Sequence, residues 1–444
     1  MLPSSPTAKM QRLVDRLFEG RLLPFLGAGV SLDAKHETDC SFKPRLNDMK
    51  EALAKAICER IGNEPTQCLK DLLPWEIPGN DSQSWEQYPF SWLADIGHWL
   101  LGPRGLCEAV GIPKFRGLNP RPAHRYLAYL VREGLLSEII TTNYDGCIER
   151  AFRAGFGSRP DVCNRRRSEQ ALKTIHNLEG YREHAGLRQT EDGEPVLRLY
   201  KINGCADAYA AGKQAPEAII LTERQLQQFG ERRWARDMLA DRARRSALLF
   251  CGFSSEEPQV RHTALTIIDE FRNNGSDPKR APHDVAELPN APLIVVHQAI
   301  SFTQAQILMA FHQAHGDATE AGAGAHGINE RLSASTLSRD DAKAWDDLPK
   351  DQQGETCLTA DIFFERLYQA AMGERLRRLL KRDEAFYVWL RQYTPHPGYW
   401  CAKLESVFGS GSNLLHGMNI QSKFDAVDDQ SDDGVVKGFK LGEA

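Results

Sequence analysis

Apolar and polar positions change period repeatedly along this chain. From Met10 to Phe18 the apolar residues recur at helical spacing, and the stretch RLLPFLGAGVS, Arg21 to Ser31, follows at once. Its apolar run from Leu22 goes straight into Gly27-Ala28-Gly29, the pattern of a buried strand ending in a tight turn. Met49, Leu53, Ile57 and Ile61 then stand four apart, predicting a helix with one apolar face closed by Gly62. A helix over Ala123 to Glu133, a strand over SEIITT (137–142) and a helix from near Asp145 come next. Further strands are predicted over VLRLYKI (196–202), ALLFCGF (247–253) and PLIVVH (292–297). Strands alternating with helices, and ending in glycine or polar residues, indicate an α/β fold with a doubly wound, largely parallel, Rossmann-like sheet. Ligands of such sheets bind outside the carboxyl ends of the strands.

Other stretches read differently. Residues 74–92 mix turn formers with Trp75, Trp85, Tyr88 and Trp92, which predicts a long aromatic-anchored loop. The expected division is a core domain over 1–316, a small-residue linker over 317–336, a helical C-terminal region over 337–424 and an acidic disordered tail over 425–444. In the helical region Met372, Leu376, Leu379 and Leu380 share one arc. Arg375, Arg377, Arg378, Lys381 and Arg382 fill most of the remainder, as a solvated face or as a patch for a partner.

Composition narrows the function. A net charge of −5 argues against a surface built mainly to neutralise nucleic-acid phosphates, so contact with nucleic acid is expected only indirectly. The ten cysteines include no C-x-x-C pair, and they read as reduced thiols of a cytoplasmic protein with no metal site. No signal-peptide pattern opens the sequence and no long apolar run suggests a membrane span. His312 and His315, three apart on an expected helix, have no evident companion ligand nearby, and His124 and His297 read as packed or hydrogen-bonded. Nothing in the spacing of Cys147 or Cys205 supports a Cys–His nucleophile.

The glycine turn has two readings, a phosphate cradle and a close-packed turn. In the first, a side chain larger than a methyl at Gly29 would take the space of the phosphate. A dinucleotide fingerprint would need a third glycine where Leu32 stands, and no Lys-Ser or Lys-Thr pair follows to make a P-loop. Four stretches in order, FLGAGVS, PAHRYLAYLVREGLLSEIITTNYD, YKINGCAD and LLFCGFSSEEP, resemble the sirtuin-like fold in its prokaryotic form. They cover roughly residues 20 to 300.

This resemblance implies that NAD is the ligand, as substrate or cofactor, held by Gly27, Ala28, Gly29 and Ser31, with Thr142, Gly252 and Ser254 at neighbouring strand ends. It implies that Asn143 orients the attacking water or ribose hydroxyl and that Asp145 contacts nicotinamide. Two departures stand out. The four-cysteine zinc module of the protein deacylases is missing, which removes zinc and the acyl-peptide cleft from expectation, and the family's His-Gly pair reads Asn203-Gly204. An amide does not titrate near neutral pH and is no general base. Zinc-free prokaryotic sirtuin-like proteins resemble this chain as NAD-depleting effectors of antiviral defence. The resemblance thus implies an NAD hydrolase, a homo-oligomer or a subunit acting with a DNA-translocating ATPase or an Argonaute-like partner. Its alternative is a catalytically impaired NAD- or ADP-ribose-binding subunit.

Overall fold

The computed structural model describes residues 8–62, 88–154, 169–228, 233–253, 265, 290–297, 300–315, 333–338 and 358–382. In chain order these form α1 (Ala8–Phe18), β1 (Leu22–Leu26), α2 (Leu46–Ile61), α3 (Phe90–Ala109), α4 (Pro122–Arg132) and β2 (Glu138–Thr141). There follow α5 (Cys147–Ala154), β3 (Leu172–Ile175), α6 (Leu178–His184), β4 (Leu197–Lys201), α7 (Ala206–Ala210), α8 (Glu223–Gln227) and α9 (Arg233–Arg245). The last elements are β5 (Ala247–Cys251), β6 (Leu293–Val295), α10 (Phe302–His315), β7 (Thr336–Leu337) and α11 (Ala360–Arg382).

The seven strands make one sheet in the order β3-β4-β2-β1-β5-β6-β7, and every pairing is parallel. Helices lie on both sides, so the fold is the expected α/β, Rossmann-like one. Each residue of β1 and β5 is buried, which is why these strands read as continuous apolar runs rather than alternating ones, and β4 is buried throughout although Arg198 and Lys201 interrupt its apolar residues. Phe25, Phe250 and Phe253 pack tilted and edge-on within one apolar layer with Ile140, Tyr200 and Leu248. A second layer joins Leu53 and Ile57 of α2 to Leu93 and Leu106 of α3 and to Phe115. Gly62 ends α2 at φ +80°, where glycine carries no steric cost.

The chain forms two compact units, Asp15–Arg339 with Thr356–Glu365, and Met1–Val14 with Asp340–Glu355 and Arg366–Ala444. The whole sheet belongs to the first. Its last strand, β7, sits where the linker was expected to end and the helical region to begin, because Thr336 and Leu337 pair with Ile294 and Val295. Asp361, also placed by the sequence in the helical region, accepts the Ala123 N–H at 2.9 Å and Arg121 Nε at 3.0 Å, and so caps α4 of the core. In the second unit, Glu374 and Arg378 form a 2.7 Å pair one turn apart on α11.

Two local expectations are corrected. The loop expected over 74–92 already gives way to α3 at Phe90, whose apolar residues Leu93 and Ala94 pack on the core while Trp92 stays exposed. The strand β3 was not foreseen: LKTI is four residues long and only half buried at an edge of the sheet, too little pattern to read. Residues 74–87, most of the linker and the acidic tail lie outside the described residues. Among the described residues no helix is long and apolar enough to cross a membrane.

Candidate active site

Four strands stop on one line. Leu26 of β1 is level with Thr141 of β2 and Cys251 of β5, and Thr141 is level with Lys201 of β4. Segments 27–31, 142–145, 202–205 and 252–253 therefore leave the sheet side by side. The strand order reverses between β1 and β5, the switch point at which open α/β sheets bind ligands.

The glycine turn is there, for a reason the sequence did not disclose. A Cβ on Gly27 would lie 2.5 Å from the Gly252 carbonyl oxygen, and one on Gly29 would lie 2.7 Å from Gly252 Cα. Gly252 has φ +65°, and a Cβ there would stand 2.5 Å from the backbone nitrogen of Val30. The three glycines let two turns touch backbone to backbone. The expectation that Gly29 keeps space open for phosphate is corrected: the space its side chain would enter is filled by protein. The N–H groups of Gly27, Gly29, Val30 and Ser31 also donate to protein carbonyls, which leaves Ala28 as the one N–H of the five not spent this way. Ala28 is exposed, at the start of a short 3-10 turn ending in Val30.

The polar groups beside this turn form one network. Thr141 Oγ1 and the Thr142 N–H both donate to the Leu26 carbonyl, and Thr141 Oγ1 accepts the Asn143 N–H, so the chain after β2 is drawn across the end of β1. Asn143 Nδ2 then donates to the Gly27 carbonyl at 3.1 Å and to Ser31 Oγ at 3.4 Å. With both amide hydrogens committed, Oδ1 is the group able to accept from a water or a hydroxyl. Turned the other way, Oδ1 would face the Gly27 carbonyl oxygen, so the neighbour sets the orientation.

His124, expected to be packed or hydrogen-bonded, is both, and it belongs to this network. As the third residue of α4 its Nδ1 accepts the Arg121 N–H at 3.0 Å, which places the ring hydrogen on Nε2, 3.1 Å from Ser31 Oγ. Ser31 Oγ thus takes hydrogens from His124 and Asn143, and its own hydrogen is left to donate to a ligand. Burial depresses the His124 pKa, although Asp145 and Asp361 pull it up, and the ring stays neutral. It is not a replacement for the missing base. The unfolded chain protonates this histidine first, so on acidification below about pH 6.5 it costs up to about 1.4 kcal/mol of stability per pH unit. The loss continues until the folded ring itself takes a proton. The non-titrating His124→Asn variant is expected to show a shallower fall in denaturation midpoint between about pH 6.5 and 5, measured in urea.

Asp145, 5 % exposed, accepts the Cys147 N–H at 3.0 Å and so starts α5. The Lys201 charge and the hydrogen bond from the Cys147 N–H hold its pKa below the usual carboxylate range against the effect of burial. His124, Asp145 and Cys147 bring ligand-type atoms within 4.8 Å of one another. Each is already engaged: the ring with Ser31, the carboxylate with α5, and the Cys147 thiol as donor to the carbonyls of Leu118 and Asn119. Burial drives the Cys147 pKa far above the ordinary thiol value and raises that of Cys205 as well, which makes both poor nucleophiles.

Asn203 is 5 % exposed, and its carbonyl accepts the Ile220 N–H at 2.9 Å. Gly204 follows at φ +120°, and a Cβ there would lie 2.6 Å from Ile219 Cδ1, so Asn203 sits in a turn of one shape. Of the expected residues, Gly27, Ala28, Gly29, Ser31, Thr142, Asn143, Asp145, Asn203 and Gly252 share this edge of the sheet, and Ser254 lies outside the described residues. His312 is buried against Ser335, with Nε2 3.2 Å from its hydroxyl. Besides His124, reading the sequence missed Lys201 and Glu149, buried below the site. A lysine near the end of the mostly apolar stretch VLRLYKI was the available signal.

A parallel sheet with its polar groups gathered at the switch point places the chain in the Rossmann-like class. Within that class, a family model described as a SIR2-like domain matches residues 137–308, from β2 into α10, and supports a sirtuin-like family with an NAD-related function. The match includes Asn143, Asp145 and Asn203 and leaves out the Gly27–Ser31 turn. No curated protein matches the chain.

Proposed function

We propose that the chain is an NAD hydrolase that cleaves the bond between nicotinamide and ribose. The observation that carries this is Asn143: with Nδ2 committed to Gly27 and Ser31, its Oδ1 is an oriented acceptor at the strand edge shared with Asp145 and Asn203. The reaction passes through a sugar with oxocarbenium character, so the protein's work is to favour that charge and hold a water on it. Asn143 Oδ1 accepts one hydrogen of the water. The ionised Asp145 favours the developing positive charge. Ser31 Oγ–H and the Ala28 N–H are donors of the kind a pyrophosphate needs. The Asn203 amide cannot accept a proton, so the water's proton leaves to solvent once the water oxygen has added to the cation.

In this reading the protein depletes NAD in antiviral defence and is activated by self-assembly or by a partner of the DNA-translocating or Argonaute-like kind. That part rests on resemblance alone. The second reading, a binding subunit that no longer turns NAD over, is favoured by Asn203 standing where the family has histidine. Incubation of the purified chain with NAD, with and without candidate partners, and chromatography of the products decides between them. Asn203→His is expected to keep or raise the rate and to add a limb near pH 6.5 to its pH profile, about where an imidazole titrates. A native chain inert toward NAD with every partner, and an equally inert Asn203→His, would establish the binding subunit.

A further inference from the structure

Lys201 ends β4 with 1 % of its side chain exposed, and Glu149 of α5 faces it at 2 %. Its Nζ stands 2.8 Å from Glu149 Oε1, donates to the carbonyls of Tyr144, at 3.3 Å, and Asp145, and lies 3.8 Å from Cys205 Sγ. These contacts reach three places: the turn after β2, the first turns of α5 and the turn after β4. The first carries Asn143 and Asp145. The last carries Asn203. One ammonium group therefore braces both polar turns of the site from beneath, and Lys201 has no such contact with the Gly27–Ser31 turn.

Packing alone does not call for these charges. Burial disfavours the ammonium, yet the carboxylates of Glu149 and Asp145 beside it outweigh that and leave the Lys201 pKa above its ordinary value, so the group stays charged. A buried ion pair is often replaced by apolar residues of similar volume without loss of stability, whereas removing one partner strands the other. What an apolar pair cannot supply is a donor to two adjacent main-chain carbonyls, and those carbonyls belong to the segment that aims the site's amide and carboxylate.

We propose that Lys201 is a positioning residue: through the carbonyls of Tyr144 and Asp145 it sets the Asn143–Asp145 turn against Asn203, with Glu149 as its counter-charge. The chemistry it serves rests on the hydrolase reading; the placement does not.

The test uses the full chain as native protein, Lys201→Met and the double variant Lys201→Met/Glu149→Met. Three quantities are measured: nicotinamide release from NAD, and calorimetric affinities for ADP-ribose and for a carbocyclic NAD analogue that cannot lose nicotinamide. Lys201→Met leaves Glu149 stranded and melts lower, and the double variant recovers the melting temperature. The recovered double variant is expected to bind ADP-ribose as the native chain does and to show kcat lowered about 10²-fold with KM little changed. Native kcat in the double variant overturns the proposal, as does an equal loss of affinity for both ligands. A native chain that releases no nicotinamide removes the hydrolase reading alone. The positioning role is then read from the analogue, whose affinity falls about tenfold relative to ADP-ribose if Lys201 aims the nicotinamide end and stays unchanged if it does not.

Discussion

Asn143→Ala is expected to lower nicotinamide release from NAD by about 10²–10³-fold while ADP-ribose affinity changes little. The side chain makes two contacts with the protein, to the Gly27 carbonyl and to Ser31 Oγ, and both serve to aim the opposite end of the amide. Truncation takes away the acceptor proposed for water. It leaves Ser31 with its His124 contact, so the hydroxyl proposed to meet the pyrophosphate keeps its orientation. Product chromatography with matched calorimetry separates the two effects. Full activity in Asn143→Ala would show that another group holds the water and that the residues aligned with the sirtuin pattern are out of register.

Gly252→Ala is expected to destabilise the protein by roughly 2–5 kcal/mol, in the absence of any nucleotide. One methyl group meets two penalties. The backbone at φ +65° is strained for an L side chain, and the new Cβ would lie 2.5 Å from Val30 N and 2.9 Å from the Gly29 carbonyl carbon, which are main-chain atoms with no rotamer to yield. Urea denaturation of the ligand-free chain measures it. The same experiment on Gly29→Ala should also show a loss, since its Cβ would meet Gly252 at 2.7 Å. Native stability in both variants would mean that the two turns separate freely and that the glycines are there for a ligand after all.

The fold was legible where burial on both faces made strands plainly apolar: LLPFL, the core of SEIITT, ALLFC and LIV all lie in the sheet. It was illegible at the margins. β3 and β7 are only four and two residues long and pair along a neighbour's backbone, and hydrogen bonding to an adjacent strand asks little of side-chain pattern. Likewise the core's use of Asp361, 240 residues from Arg121 along the chain, is a long-range contact with no local trace.

Asn143, Asp145, Asn203 and the glycine turn were visible in the sequence because each follows a strand, and in a parallel sheet the residues after the strands must gather at one edge. What they do there was decided by contacts between segments far apart. Gly27 and Gly29 answer to Gly252 across the switch point, and His124, read as packed or hydrogen-bonded with no partner named, is fixed in tautomer by Arg121 and turned onto Ser31. Lys201, unremarked in an apolar run, holds the two polar turns together. A sequence records which groups a strand end carries. Hydrogen-bond direction, protonation and close approach depend on the partner across the gap, and only the folded chain brings that partner within reach.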